Sequence, residues 1–502
     1  MSPCPGIRRH SSRGHGKVRS MPTGASFSRR QFFALAAAPL AARAASPPPN
    51  FVFILIDDMG WRDLCCYGST FYETPQIDRF AAQSVRFTNA YAACPVCSPT
   101  RASILTGKYP ARLHLTDYIP GRAQWPTARL LKAPFLDHLP LEEMNLARAL
   151  KPLGYASASI GKWHLGGPPY YPDRQGFDLN VGGTDKGQPP TYFGPWNLPN
   201  LENGPKDEYL TDRLTVEAAK FIETNRSRPF FLYLPEFAVH LPEQAKPALV
   251  ERYRRKADPA NPQHDPVYAA MIASLDENIG RILKKLDDER LAHRTVVIFM
   301  SDNGGLVYEG NRQQPVTSNA PLRAGKGHLY EGGIREPMMI RWPGVTRAGA
   351  VCDVPVSSID FFPTLLEIAG VKVDPAWSVD GVSLVPLLRR SGVLRREALY
   401  WHYPHYSNQG GVPSGAVRAG DYKLIEFYED GRRELYNLAR DAGESDDLAS
   451  KDPARAARMA AMLAEWRQSV HAVMPAVNPN YDPAKADQGL TGQNPPPSNG
   501  RR

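Results

Sequence analysis

Four short apolar runs in this chain each give way to polar residues. Phe51 to Ile56 ends in Asp57-Asp58, and Ala156 to Ile160 ends in Gly161-Lys162-Trp163-His164. Phe230 to Leu234 runs on toward His240, and Thr295 to Met300 ends in Ser301-Asp302-Asn303-Gly304-Gly305. Runs without polar interruption fit strands covered on both faces, as in a parallel sheet. Between them, Leu141 to Leu150, Asp212 to Thr224, Val267 to Leu286 and Ile359 to Ala369 space their apolar residues by three and four. Strands alternating with such helices predict an α/β fold, a central mostly parallel sheet flanked by helices. Ligands in these sheets bind beyond the carboxyl ends of the strands, where the polar clusters fall.

Near residue 390 the texture changes. Arg389-Arg390-Ser391-Gly392 is followed by strand-like Glu397 to Tyr403, Gly415 to Ala419, Tyr422 to Tyr428 and Glu434 to Leu438, then a helical stretch from Pro453 to Val470. This predicts a small antiparallel sheet plus one helix. The expected division is a leader over 1–45, a catalytic part over 46–390, a C-terminal subdomain over 391–474 and a Pro/Asn/Gly-rich tail over 475–502. With 502 residues and 42% apolar content, a disordered or fibrous chain is excluded.

The net charge of +9 is unevenly placed. Eight of the 60 Lys and Arg lie in the first 44 residues, which hold no acid, so the remainder is near neutral against its 51 acids. A nucleic-acid protein would carry its excess charge on the folded body. Ser28-Arg29-Arg30-Gln31-Phe32-Phe33, the apolar run to Ala42 and the Ala42-Arg43-Ala44 site read as a twin-arginine export signal. Bacterial export to the periplasm or beyond is expected, with the export machinery as a partner. The apolar run is too short to span a bilayer. Cleavage would remove Cys4 and leave Cys65, Cys66, Cys94, Cys97 and Cys352, an odd set that flags a thiol with another task.

Asp57-Asp58 and Asp302-Asn303 end two strands in matching ways. Carboxylates gathered from both would repel unless a hard divalent cation with oxygen ligands joined them. Each pair alone is equally a solvated loop or a helix cap. The run Cys97-Ser98-Pro99-Thr100-Arg101 opens a helix, with Pro99 in its first turn. Cys97 then sits at the positive end with Arg101 one turn on, an anion site, or else a small buried cysteine beside a surface arginine.

Cys97-x-Pro99-x-Arg101 followed by Ala-Ser-Ile-Leu-Thr-Gly resembles the signature of the type I, formylglycine-dependent sulfatases. From Phe51 to about Ala449 the chain is similar to this family in motif order: Asp-Asp, the cysteine box, Gly-Lys-Trp-His, a strand and His, Ser-Asp-Asn-Gly, and a Lys-bearing Gly-rich loop. The resemblance implies the alkaline-phosphatase-like fold and hydrolysis of sulfate esters. It implies that a maturation enzyme converts Cys97 to formylglycine, whose hydrated form attacks sulfur and then expels sulfate. It implies Asp57, Asp58, Asp302 and Asn303, with an oxygen on residue 97, as Ca²⁺ ligands, Mg²⁺ being the runner-up. Arg101 would steady residue 97; Lys162, His164 and Lys326 would bind sulfate oxygens; His240 would protonate the leaving oxygen.

For the substrate, two ring-rich segments stand out. One is Gly182 to Trp196, with Lys186, Tyr192 and Trp196; the other is Trp401 to Tyr406, with His402 and His405. Either they stack on a sulfated glycan or they pack between the two parts of the chain. His114 and the following Leu115 to Tyr118 are further candidates for the pocket wall. The alternatives to a sulfatase are a phosphate or phosphonate ester hydrolase of the same superfamily, and an inactive sulfoglycan-binding protein if Cys97 stays a thiol.

Overall fold

The computed structural model describes residues 48–307 and 315–485. The expected leader and the end of the tail lie outside the described residues. The main sheet uses β1 (Asn50–Ile56), β2 (Val85–Tyr91), β3 (Ala156–Ile160), β4 (Leu179–Val181), β5 (Phe230–Pro235), β6 (Thr295–Ser301), β7 (Arg335–Arg341), β8 (Ala350–Cys352) and β9 (Val356–Ser357). Their order is β4-β3-β5-β1-β6-β7-β2-β8, with β9 also on β2. The five strands from β4 to β6 are parallel, and β7 runs antiparallel to both neighbours.

β1 shows why its sequence forms a central strand. All seven residues are buried. Val52, Ile54 and Ile56 join the core under the helices Leu210–Thr224 and Pro266–Asp288. Phe51, Phe53 and Leu55 join the opposite core, with the helices Cys97–Thr106 and Phe361–Ala369. From Phe51 to Ile56 every side chain is apolar, as burial on both faces requires, while buried Asn50 at the start bonds Thr295 Oγ1 at 3.2 Å.

Two elements depart from expectation. The helix expected over Leu141 to Leu150 covers only Leu146–Leu150, because the Asn145 side chain caps it, accepting the Arg148 amide at 3.2 Å. The second is β7, which the continuous-run criterion passed over along with β2. β2 reads VRFTNAY, with alternating partial exposure, and so carries a different pattern from the buried parallel strands.

The second sheet is β10 (Leu399–Tyr403), β11 (Ser414–Ala419), β12 (Tyr422–Phe427) and β13 (Arg433–Asn437), antiparallel in that order. One face packs on the helix Pro453–Ser469, where Tyr400 stacks on Trp466 with ring centroids 5.0 Å apart. Trp401 and Tyr403, on the other face, join Tyr91, Cys94 and Val96 in one apolar cluster. This is the packing alternative for that ring-rich segment. The first residues of the tail wrap back, the Leu131 amide donating to Ala476 O at 2.8 Å.

Candidate active site

Asp57, His164, His240 and Asp302 all follow main-sheet strands along the same carboxyl edge, from β1, β3, β5 and β6. Asp58 and His164 hold left-handed backbone, φ 60° and 59°, a costly conformation for these residues that points to functional constraint. Gly161 is obligatory before them: a Cβ there would lie 2.1 Å from Pro235 O.

The helix Cys97–Thr106 is buried throughout. Cys97 Sγ at its start lies 3.3 Å from His164 Nδ1. His164 Nε2 is 2.6 Å from Ile119 O, which can only accept, so Nε2 carries the proton and Nδ1 turns a lone pair to Cys97. Burial, with Lys162 nearby, pushes His164 well below its ordinary range, consistent with a neutral ring. Arg101 is fully buried; its Nε bonds Asp302 Oδ2 at 2.9 Å and its Nη1 bonds Lys162 O at 3.0 Å.

Each acid meets a cation. Lys162 Nζ lies 2.7 Å from Asp57 Oδ2, and Lys326 Nζ 2.7 Å from Asp58 Oδ2. His240 Nε2 stands 3.5 Å from Asp58 Oδ2. Burial works against the Asp58 charge, but Lys326, His240 and Lys162 together hold its carboxyl below the usual range. At Asp57 burial wins and Asp302 adds repulsion, so that carboxyl is pushed up despite Lys162.

The donor set fits a hard cation. The Asn303 amide nitrogen bonds Asp58 Oδ1 at 2.8 Å, and the Asp58 amide bonds Asp302 Oδ1 at 3.2 Å, so the four residues are one cluster. Within it Asp57 Oδ1 and Asn303 Oδ1 are buried and accept no hydrogen bond. Orphaned buried oxygens are costly unless something else satisfies them. Among the described residues, ligand atoms of Asp57, Asp58 and His240 also lie within 4.8 Å of one another, which adds a nitrogen to the oxygen set expected from the sequence.

Asp63 ties this cluster to the loop leading to Lys326. Its carboxylate accepts the Gly60 amide at 2.8 Å, Tyr268 Oη at 2.7 Å, Thr317 Oγ1 at 2.7 Å and Gln263 Nε2 at 2.9 Å. Burial nonetheless pushes it up to about 6.

Above the cluster is a pocket of about 330 Å³ that Asp58, Cys97, His164, His240 and Lys326 all line. Charged groups of both signs thus converge with a thiol at one cavity that can admit a small anion or ester. A family model described as Sulfatase matches residues 49–371, and another described as N-sulphoglucosamine sulphohydrolase, C-terminal, matches 324–470. The chain belongs to the sulfatase family. This sulfatase is 32% identical to a sulfatase of Formosa agariphila over 86% of this chain and 90% of that protein. It is 35% identical to the N-acetylgalactosamine-6-sulfatase of Homo sapiens over 72% of this chain and 70% of that protein. The crystal structure of Ps i-CgsB is similar to it with a TM-score of 0.71 and 28% identity, over 84% of this chain and 92% of that one. It is accordingly a sulfuric ester hydrolase with an alkaline-phosphatase-like fold. Among the described residues no helix is long and apolar enough to cross a membrane.

The six residues expected to bind substrate sit elsewhere in this sulfatase. Tyr192 and Trp196 are fully buried, and Tyr192 Oη donates to Phe237 O at 2.6 Å, beneath the His240 turn. His402 is held by Tyr428 Oη and Val473 O, and His405 by Thr116 Oγ1. Lys186 is exposed and pairs with Asp185. His114 ends the short helix Pro110–Leu113 with a left-handed backbone. All six are absent from the pocket wall, which uses Tyr118, Gln188, Asn408 and Gln409 instead. Tyr118 belongs to the segment noted after His114. Gln188 follows Lys186 by two and Asn408 follows His405 by three, so the pocket wall takes neighbours of the singled-out residues.

Proposed function

We propose that this sulfatase releases inorganic sulfate from a sulfated glycan, using formylglycine made from Cys97. The observation that carries the reading is Cys97 Sγ at the start of a buried helix, facing a pocket shared with Asp58, His164, His240 and Lys326. Hydrated, the aldehyde supplies one hydroxyl to attack sulfur and a second to expel sulfate, a covalent route that splits one hard step into two.

The chain's own residues have these roles. His164, with its Nε2 proton fixed on Ile119 O, presents Nδ1 to residue 97 and accepts a proton there. That geometry favours a base at residue 97 over the sulfate contact expected for His164. Arg101, locked on Asp302, steadies the same end of the site. Lys162 and Lys326 add positive charge where sulfate oxygens gain negative charge. His240, with Nδ1 near Leu241 O at 3.2 Å and Nε2 toward Asp58, gives a proton to the leaving oxygen when it is doubly protonated, a form that burial and Lys326 oppose and Asp58 favours. Asp57, Asp58, Asp302 and Asn303, with residue 97, would hold Ca²⁺, with Mg²⁺ the runner-up; the ion would neutralise the acids and polarise a sulfate oxygen.

The cellular steps are part of the same reading: a maturation enzyme modifies Cys97, and the twin-arginine leader over 1–45 exports the folded enzyme to the periplasm or beyond. The catalytic part spans 46–390, the C-terminal subdomain 391–474 and the tail 475–502. The test is turnover of 4-nitrophenyl sulfate and 4-nitrophenyl phosphate by protein co-expressed with a maturation enzyme, with peptide mass at residue 97. Preferential sulfate hydrolysis by the modified form is expected. Faster phosphate hydrolysis would assign a phosphate or phosphonate esterase, and an unmodified, inactive residue 97 a sulfoglycan-binding protein.

A further inference from the structure

Next to the reaction pocket lies a second cavity of about 240 Å³, lined by His328, Tyr330, Gly410, Gly411, Phe427 and Arg432 among others. The two share a wall made of backbone. Lys326 and Gln409 face the reaction pocket, while His328 and Gly410 face the second cavity. Between them Gly411 packs on Gly327 so closely that a Cβ on Gly411 would lie 1.8 Å from Gly327 O. The divide is therefore a low saddle at Gly327 and Gly411, flanked by the Ser407 and Gln409 side chains that pack against Gly327.

The second cavity has the chemistry of an anionic sugar site. Its wall contains Arg432 and His328 and no Asp or Glu. The Arg432 guanidinium lies 3.8 Å from the centre of the Phe427 ring, and Arg323 lies 3.8 Å from that of Tyr330. One carboxylate, Glu434, serves both arginines and also accepts Tyr330 Oη and Tyr436 Oη at 2.7 Å each. Two guanidinium groups thus share one acid that is 10% exposed, while Arg432 is 50% exposed. Asp430 also lies close to Arg432, and the rim keeps unspent guanidinium N–H donors beside two aromatic rings. Planar donors of this kind suit sulfate and carboxylate, and ring faces suit sugar faces.

We propose that this cavity is a second subsite, which holds a sulfated or uronic sugar adjoining the one whose ester is cleaved. The inference rests on the sulfatase reading of the first pocket and adds that the preferred substrate is an anionic oligosaccharide lying across the Gly327–Gly411 saddle.

The experiment compares the unaltered protein with Arg432→Gln in two formats. In the first, Cys97→Ala protein, which cannot turn over, is titrated calorimetrically with sulfated tetrasaccharides from chondroitin 6-sulfate and from ι-carrageenan and with N-acetylgalactosamine 6-sulfate. At least one tetrasaccharide should bind more tightly than the monosaccharide, and Arg432→Gln should weaken that tetrasaccharide about tenfold while leaving the monosaccharide unchanged. In the second, the matured enzyme should show a raised KM for that tetrasaccharide in Arg432→Gln, with kcat and 4-nitrophenyl sulfate turnover unaltered. Tetrasaccharides that bind no better than the monosaccharide, or an Arg432→Gln protein that binds them equally well, would overturn the subsite. Loss of 4-nitrophenyl sulfate turnover in the unaltered matured enzyme would count against the sulfatase reading instead, since the calorimetric comparison stands without catalysis.

Discussion

Two buried ionic clusters in this molecule have similar ingredients and different endings. At the active site, Asp57, Asp58 and Asp302 meet Lys162, Lys326 and Arg101. Between the two sheets, Glu331 and Glu444 meet Lys423, whose Nζ lies 3.0 Å from one and 2.9 Å from the other. Tyr91 Oη adds a 2.7 Å bond to Glu331, and the Glu331 amide bonds Glu444. In the second cluster Glu444 Oε1 accepts no hydrogen bond either, but it faces the Lys423 ammonium at 2.9 Å, so the charges face one another. In the first, Asp57 Oδ1 and Asn303 Oδ1 are left over, and Asp58 and Lys326 also face a pocket. Buried charge by itself therefore does not mark a site; donors and acceptors left unspent beside a cavity do.

The sharpest way to break this contrast is Cys97→Ala. It should lower sulfate release roughly 10⁴-fold or more, since it removes the nucleophile's source, while the thermal midpoint stays near that of the unaltered protein. Near-normal turnover, followed by sulfate release, would end the proposed mechanism.

The closed cluster should behave in the opposite way. Lys423→Met leaves buried Glu444 without its cation and Glu331 with only the longer Arg335 pair at 3.6 Å, and should cost about 3–5 kcal/mol of stability. Turnover per folded molecule should hold, as checked by denaturant titration beside active-site titration. A fall in kcat with stability intact would show that the two clusters are coupled.

Metal removal separates them again. Chelation should abolish activity reversibly and lower stability by about 2.7 kcal/mol relative to a hundredfold excess of Ca²⁺ over its dissociation constant. Readdition of Ca²⁺ should restore both, and Lys423→Met should show the same metal response. Stoichiometric Zn²⁺ found by elemental analysis would refute the oxygen-ligand assignment.

Asp117 is the intermediate case and the smallest effect. Its Oδ2 is also buried without a hydrogen bond, but the cavity beside it is only about 20 Å³, room for a single water. Burial pushes this carboxyl up to about 7, with Lys132 only partly offsetting. The native group therefore keeps its proton between about pH 4 and 7, where the unfolded chain has lost it. Its stability contribution is full below that window and falls as pH rises through it. Asp117→Asn should escape the loss, so its stability relative to the unaltered protein should climb from about pH 4 to 7 and then level off. A pH-independent difference between their urea midpoints would place the ionised form of Asp117 in the native state throughout.

The sequence by itself carried the elements whose neighbours do not matter. β1, β3, β5 and β6 were legible because a strand covered on both faces needs an unbroken apolar run, and helices such as Pro266–Asp288 because their period is local. Asp57, Asp58, Lys162, His164, Asp302 and Asn303 were legible because each sits just after such a strand, whereas Cys97, Arg101 and Lys326 stood out through their motifs. Tertiary structure alone decided the antiparallel place of β7 and which loop side chains reach the pocket. It turned Gln188 and Asn408 to the wall while Tyr192 and His402 became core and scaffold. It also fixed the His164 tautomer, through a carbonyl 45 residues away in the chain. A strand's burial is written in its own period, but the direction of a loop side chain depends on distant partners, and no local pattern encodes those.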